Sequence, residues 1–164
     1  MNDADIAALL DDLADAGLTL ATAESLTGGR VCARLVDVPG ASRVVLGGVC
    51  TYATRLKHEI LGVDQERLER FGPVDEVVSL EMARGVRCLT GASIGVSTTG
   101  VAGPEPQGEA SVGTVHVAVA WEGGDAHRLL ALDGDRETIR SGAVDAALAL
   151  VREVLDAREI PAGQ

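Results

Sequence analysis

The segment Thr22-Ala23-Glu24-Ser25-Leu26-Thr27-Gly28-Gly29 passes from an apolar stretch of strand character into one of helical character, which sets Ser25 at a strand-to-helix turn. Free backbone N–H groups and the positive helix end gather at such a turn, where they can stabilise an oxyanion and orient a hydroxyl toward a carbonyl. Gly28 and Gly29 let a ligand come close to the backbone there. Ordinary helix capping also accounts for a serine at this position. A serine nucleophile needs a base. His58, His116 and His127 show neither triad-like nor metal-ligand spacing, and the segment is not a Gly-x-Ser-x-Gly elbow. The 14 basic residues include a single lysine, Lys57, which follows Tyr52 by five positions. Arginine keeps its proton, whereas a desolvated lysine can release one near neutral pH. The competing reading of Lys57 is a solvated helix residue.

Two further segments could bind a ligand. Thr98-Thr99-Gly100-Val101-Ala102-Gly103-Pro104 follows an apolar strand, and the N–H groups of such a turn can cradle an anion or a carbonyl oxygen. It matches neither a Gly-x-Gly-x-x-Gly nor a Walker pattern, which argues against a nucleoside triphosphate. Its other reading is a tight loop that needs glycine for its geometry. Gly134-Asp135-Arg136-Glu137-Thr138-Ile139-Arg140 opens the last helix, with Arg136 and Arg140 on one face. Positive charge in a first turn opposes the helix dipole by ~0.3–1 kcal/mol. A phosphomonoester bound there reverses that penalty; surface pairing with Asp133 or Glu137 is the alternative.

The elements that must position these residues fit one domain, 1–164, with a core over about 5–155 and a frayed tail at 158–164. Helical spacing is expected over 3–16, 26–36, 54–61, 64–71, 76–90 and 135–157. Strands are expected at 18–23, 44–52, 92–98, 115–121 and 127–132, with a bulge or close approach at Gly47-Gly48 and a hairpin turn at Gly123-Gly124. Helices alternating with strands, then a late hairpin, imply an α/β fold: a three-layer α/β/α sandwich on a mixed, mostly parallel sheet. Ligands of such sheets bind beyond the carboxyl ends of the strands, where loops 24–29 and 99–104 emerge.

Composition removes several classes. The net charge of −11 argues against nucleic acid, but six acids and no base fall within residues 1–24, so a small anionic ligand stays compatible with the rest. There is no apolar run long enough to span a membrane and no signal-peptide pattern at the N-terminus. Three cysteines (Cys32, Cys50 and Cys88) without CxxC spacing read as reduced, mostly buried thiols of a cytoplasmic protein, not a disulfide framework or zinc site.

The stretches TAESLTGG (22–29), GGVCTYATRLKHEILGV (47–63), TTGVAGP (98–104), VGTV (112–115) and GDRETIR (134–140) together resemble the CinA C-terminal domain family, in consistent order over about residues 5–155. Enzymatic members of that family are nicotinamide-mononucleotide amidohydrolases, the PncC-type deamidases. The resemblance implies an α/β/α fold, a pyridine-nucleotide substrate and hydrolysis of its carboxamide to nicotinic acid mononucleotide and ammonia. It further implies no metal or organic cofactor, and a homodimer. The N-terminal domain of full-length CinA proteins is not expected among these residues. By position, Ser25 matches the nucleophile, Lys57 the general base and Tyr52 the motif tyrosine. Thr27, Gly28, Gly29, Thr99, Gly100, Ala102 and Gly103 are the expected substrate contacts, with the oxyanion donors near Thr27-Gly28 or Thr99-Gly100. Arg136 and Arg140 are the expected phosphate contacts, on physical grounds more than by motif.

The chain departs from the family's usual pattern at four places. Ala53-Thr54 replaces Ser-Asn, Asp75 a serine, Ala110-Ser111 a Lys-Pro, and Glu105-Pro106-Gln107-Gly108 a Gly-Gly after Gly-Pro. An Asp75 beside a phosphate would be unfavourable. These departures leave two other readings: a non-catalytic ligand-binding or interaction module with a drifted pocket, and an amidase for another small amide.

Overall fold

Ile6, Leu9, Leu10 and Leu13 recur at helical spacing, and all four are buried by the first helix, α1 (Asp3–Asp15). Asn2 and Asp5 fix its start through a capping box, the side chain of each accepting the backbone N–H of the other at 2.9 Å. The computed structural model describes residues 1–157, so the tail expected to fray lies outside the described residues. After α1 come β1 (Leu20–Glu24), α2 (Arg30–Val36), a 3-10 turn (Ala41–Arg43) and β2 (Val45–Cys50). Then follow α3 (Thr54–Leu61), α4 (Gln65–Phe71), α5 (Glu76–Thr90), β3 (Ile94–Gly100), β4 (Thr114–Trp121), β5 (Gly124–Ala131) and α6 (Arg136–Asp156).

The strands form one sheet in the order β2-β1-β3-β4-β5. β1 is parallel to β2 and β3, while β4 is antiparallel to β3 and β5. Four strands thus share one direction and β4 opposes them, which makes the sheet mixed. Alternating side chains serve two cores. Leu20, Val115, Val117 and Val119 pack with α1, α2 and α6 on one face. Ala21 and Ala23 pack with α3, α4 and α5 on the other. This is the expected three-layer sandwich.

The start of α2 differs from expectation for a local reason. α2 starts at Arg30, not at residue 26, because Gly28 and Gly29 take φ of 61° and 94° and hold residues 25–29 in a turn. In β2 the register slips so that Leu46 has no partner on β1, which is the bulge expected beside Gly47-Gly48. Among the described residues no helix is long and apolar enough to cross a membrane. The cysteines are not mostly buried as expected: Cys50 and Cys88 are exposed and Cys32 is half-buried.

α5 lies so close to the sheet and to α3 that two positions admit no side chain. A Cβ on Gly95 would overlap the carbonyl oxygen of Ala83, and one on Gly85 would overlap that of Leu61. Backbone cannot yield as a flexible side chain can, so Gly85→Ala and Gly95→Ala are each expected to cost about 2 kcal/mol of stability. Thermal melts of the two variants check this, with lowered midpoints as the expected outcome.

Candidate active site

All five residues of β1 are buried, yet two of them, Thr22 and Glu24, are polar. A buried carboxylate is costly unless its oxygens are satisfied. Here Glu24 Oε2 accepts the N–H groups of Gly29 (2.9 Å) and Val31 (3.0 Å). Oε1 accepts that of Cys32 (2.9 Å) and the Thr22 hydroxyl (3.1 Å). The first helical turn of α2, whose N-cap Gly29 offers no side-chain acceptor, is therefore capped from below by Glu24. On the other side of the loop, Arg140 donates from Nε to the Leu26 carbonyl and from Nη2 to the Thr27 carbonyl, both at 2.8 Å. Thr27 and Thr98 join their hydroxyls at 2.7 Å, and the Ser25 N–H donates to Thr98 O at 3.0 Å. The turn that carries Ser25 is held from three directions.

Lys57 reaches this turn from α3. Its side chain is fully buried, with Nζ 2.9 Å from Ser25 Oγ and 2.8 Å from the Thr51 carbonyl oxygen. The Thr51 N–H in turn donates to Glu24 O at 2.9 Å, so the acceptor is fixed to β1. Among the described residues no carboxylate pairs with the ammonium, and burial pulls Lys57 down from 10.5 to about 8. As an ammonium it donates to both oxygens. As a free amine it can still donate to Thr51 O while accepting the Ser25 hydroxyl proton. That is the geometry of a nucleophile beside its base.

Both residues open onto a cavity of about 280 Å³ beyond the carboxyl ends of β1 and β3. Eight sequence-derived site residues line it: Ser25, Tyr52, Lys57, Thr99, Gly100, Ala102, Gly103 and Arg136. Arg136 spans its mouth, donating from Nη1 to Gly103 O at 2.7 Å and from Nη2 to the Tyr52 hydroxyl at 3.3 Å. Thr99 donates its hydroxyl to Pro73 O at 2.7 Å, which ties the floor to the α4–α5 junction.

Four expected contacts lie elsewhere. Thr27, Gly28, Gly29 and Arg140 do not line the cavity. The Gly28 N–H is spent on Ser25 O (3.1 Å) and that of Gly29 on Glu24, so neither is free for an oxyanion. Arg140 acts as a brace for the loop instead of a ligand contact. Among the described residues, the N–H groups of Leu26, Ala102 and Gly103 have no protein acceptor, and all three residues line the cavity. The sequence reading missed Leu26, Pro73, Val101, Glu105, Pro106 and Gln107 as lining. Leu26 and Val101 lie inside the stretches TAESLTGG and TTGVAGP, and the last three departed from the family pattern directly after Gly103-Pro104; Pro73 carried no signal.

The departure at Asp75 is accounted for locally. Asp75 caps α5 by accepting the N–H groups of Val77 (3.0 Å) and Val78 (3.2 Å), and it pairs with Arg67 at 2.8 and 2.7 Å. Burial raises its carboxyl, but Arg67 and the two N–H groups outweigh that and hold it below the usual range. Asp75, Ala53 and Thr54 all lie outside the lining. Among the described residues no group of three or more His, Cys, Asp or Glu side chains could hold a metal ion.

Fold and site together define an α/β/α protein with a buried serine–lysine pair at the carboxyl edge of its sheet. The chain belongs to the CinA C-terminal domain family, whose model matches residues 3–155. It is 46% identical over 146 residues to a putative competence-damage inducible protein of Desulforamulus reducens, covering 89% of this chain and 36% of that protein. It is 50% identical over 137 residues to a CinA-like protein of Frankia casuarinae, covering 84% and 32%. The chain thus spans about a third of the length of these relatives. Among solved structures it is similar to the competence/damage inducible protein CihA of Agrobacterium tumefaciens, with a TM-score of 0.89, 34% identity and coverage of 93% and 94%. It is also similar to the competence damage-inducible protein A (ComA) of Klebsiella pneumoniae, at 0.90, 34%, and coverage of 95% and 98%.

Burial of Lys57 makes stability depend on pH in a defined direction. Between about 8 and 10.5 the unfolded chain holds a proton on Lys57 that the folded chain has lost, so stability rises with pH across that window. Lys57→Met removes the effect. Denaturant titrations should therefore show the wild type gaining about 3 kcal/mol relative to Lys57→Met between pH 7 and pH 10.5.

Proposed function

We propose that this site hydrolyses the carboxamide of nicotinamide mononucleotide, giving nicotinic acid mononucleotide and ammonia. The observation that carries the reading is Lys57 Nζ, buried without a carboxylate partner, 2.9 Å from Ser25 Oγ. Ser25 Oγ attacks the amide carbonyl carbon while its proton passes to Nζ. The N–H of Leu26, next to the nucleophile, is available to the developing oxyanion. Collapse breaks the C–N bond, Lys57 returns its proton to the departing nitrogen, and ammonia leaves. Water then attacks the Ser25 ester with Lys57 again as base, which releases the carboxylate product and restores the hydroxyl. Arg136 at the mouth suits the phosphate, and Leu26, Pro73, Val101 and Ala102 offer apolar surface to the ring. No metal or organic cofactor enters these steps. We place the protein in the cytoplasm as a homodimer.

The departures at Ala53, Thr54 and Asp75 lie outside the cavity lining and those at Glu105, Pro106 and Gln107 lie within it, but the Ser25–Lys57 contact is intact, which supports a catalytic site over a non-catalytic one. Ammonia release from nicotinamide mononucleotide should fall about 10³-fold or more in Ser25→Ala. The wild-type rate should rise with pH through an apparent value near 8, the position to which burial moves Lys57. Lys57→Met should lose that limb. A wild-type protein that releases no ammonia from this nucleotide overturns the reading.

A further inference from the structure

Besides Lys57, the cavity faces Glu105 and Arg136, charges of opposite sign that do not pair with each other. Glu105 is the only carboxylate in the lining, and it forms no ion pair among the described residues. Arg136 faces the same space with its guanidinium on Gly103 O and Tyr52, not on a carboxylate. Elsewhere the chain matches arginine to carboxylate freely: Arg30, Arg34, Arg43, Arg55, Arg67, Arg84, Arg128 and Arg152 are all paired. Glu105 is exposed, sits outside every helix and strand, and makes no hydrogen bond among the described residues. Its charge therefore does nothing for the fold.

The charge does alter the cavity. A ligand with a cationic ring enters beside Arg136 and, below pH about 8, beside the Lys57 ammonium. Both repel it, and Glu105 is the one lining group of opposite sign. A ligand carrying a cation at its ring and an anion at its far end matches this pair of charges in one orientation only.

We propose that Glu105 is a specificity-determining residue that selects amides borne on a cationic pyridinium ring over neutral amides of the same shape. This rests on the reading that the site accepts a pyridine nucleotide. The charge is set in solvent, so screening limits its effect to roughly threefold to tenfold.

Nicotinamide mononucleotide and its dihydro form test it, because amide, ribose and phosphate are shared and only the ring charge changes. Calorimetric titration of each into Ser25→Ala reads binding without turnover. The ratio of cationic to neutral affinity measured in Ser25→Ala is the preference, and adding Glu105→Gln should cut that preference threefold to tenfold. The loss should fall on the cationic nucleotide, with binding of the neutral one changed less than twofold. Glu105→Lys should cut the preference further. Equal changes for both nucleotides, no change in either, or no binding of either overturns the proposal. Absence of ammonia release by the wild type would refute the reaction alone, since the binding preference is measured independently of it.

Discussion

A lysine without a counter-charge, fully buried against a serine hydroxyl, is the constraint on which this structure turns. Such a group costs the fold stability whenever it is protonated, and the cost cannot be relieved by a carboxylate without destroying the amine's readiness to accept a proton. What tolerates it is position. Lys57 hangs from α3 over the ends of β1 and β2, where Thr51 O gives Nζ one fixed acceptor and Ser25 Oγ the other. The apolar pairing of Ala21 and Ala23 with Leu61, Val78 and Met82 seals the layer from which it reaches down.

The loop opposite is built to the same requirement. The turn bearing Ser25 is tied at several points, which restricts the conformers open to its hydroxyl. Glu24 consumes the N–H groups at the start of α2, and Arg140 takes the carbonyls of Leu26 and Thr27. The result leaves few N–H groups free, and those of Leu26, Ala102 and Gly103 belong to residues that line the cavity. A carboxylate buried beneath the loop and a guanidinium laid over it thus act as tension members, not as chemical participants.

Layer order, the strand-to-helix position of Ser25 and the lone-lysine argument for Lys57 were legible in the sequence because each depends on local pattern: period, apolar alternation, residue type. The family resemblance pointed to the same pair. Arg140 was not legible as a brace. Its guanidinium meets carbonyls more than a hundred residues earlier in the chain, and nothing in helical spacing tells a free cation from one already engaged. Gly28 and Gly29 were read as ligand contacts because glycine permits close approach, yet here their positive φ serves the turn itself. Asp75 was read as a threat to a phosphate, but the charge is absorbed by an N-cap and by Arg67. In each case the missing information was which partner a polar group had found.

The reversal of strand direction at β4 has a consequence for how such a protein can change. Because β3 and β4 are adjacent and antiparallel, the segment joining them, 101–113, needs no helix to cross the sheet. Both of its ends are anchored by short backbone bonds, Val101 N–H to Thr114 O and Gly113 N–H to Val101 O, each 2.9 Å. Its interior supplies Ala102, Gly103, Glu105, Pro106 and Gln107 to the cavity wall. Lengthening or rewriting a loop anchored in this way costs only a logarithmic increment of closure entropy and disturbs neither packed layer. The cavity wall is therefore divided between a part fixed by the packed layers and the 98–104 turn and a part, Glu105, Pro106 and Gln107, that can be rewritten while the serine and lysine stay where they are.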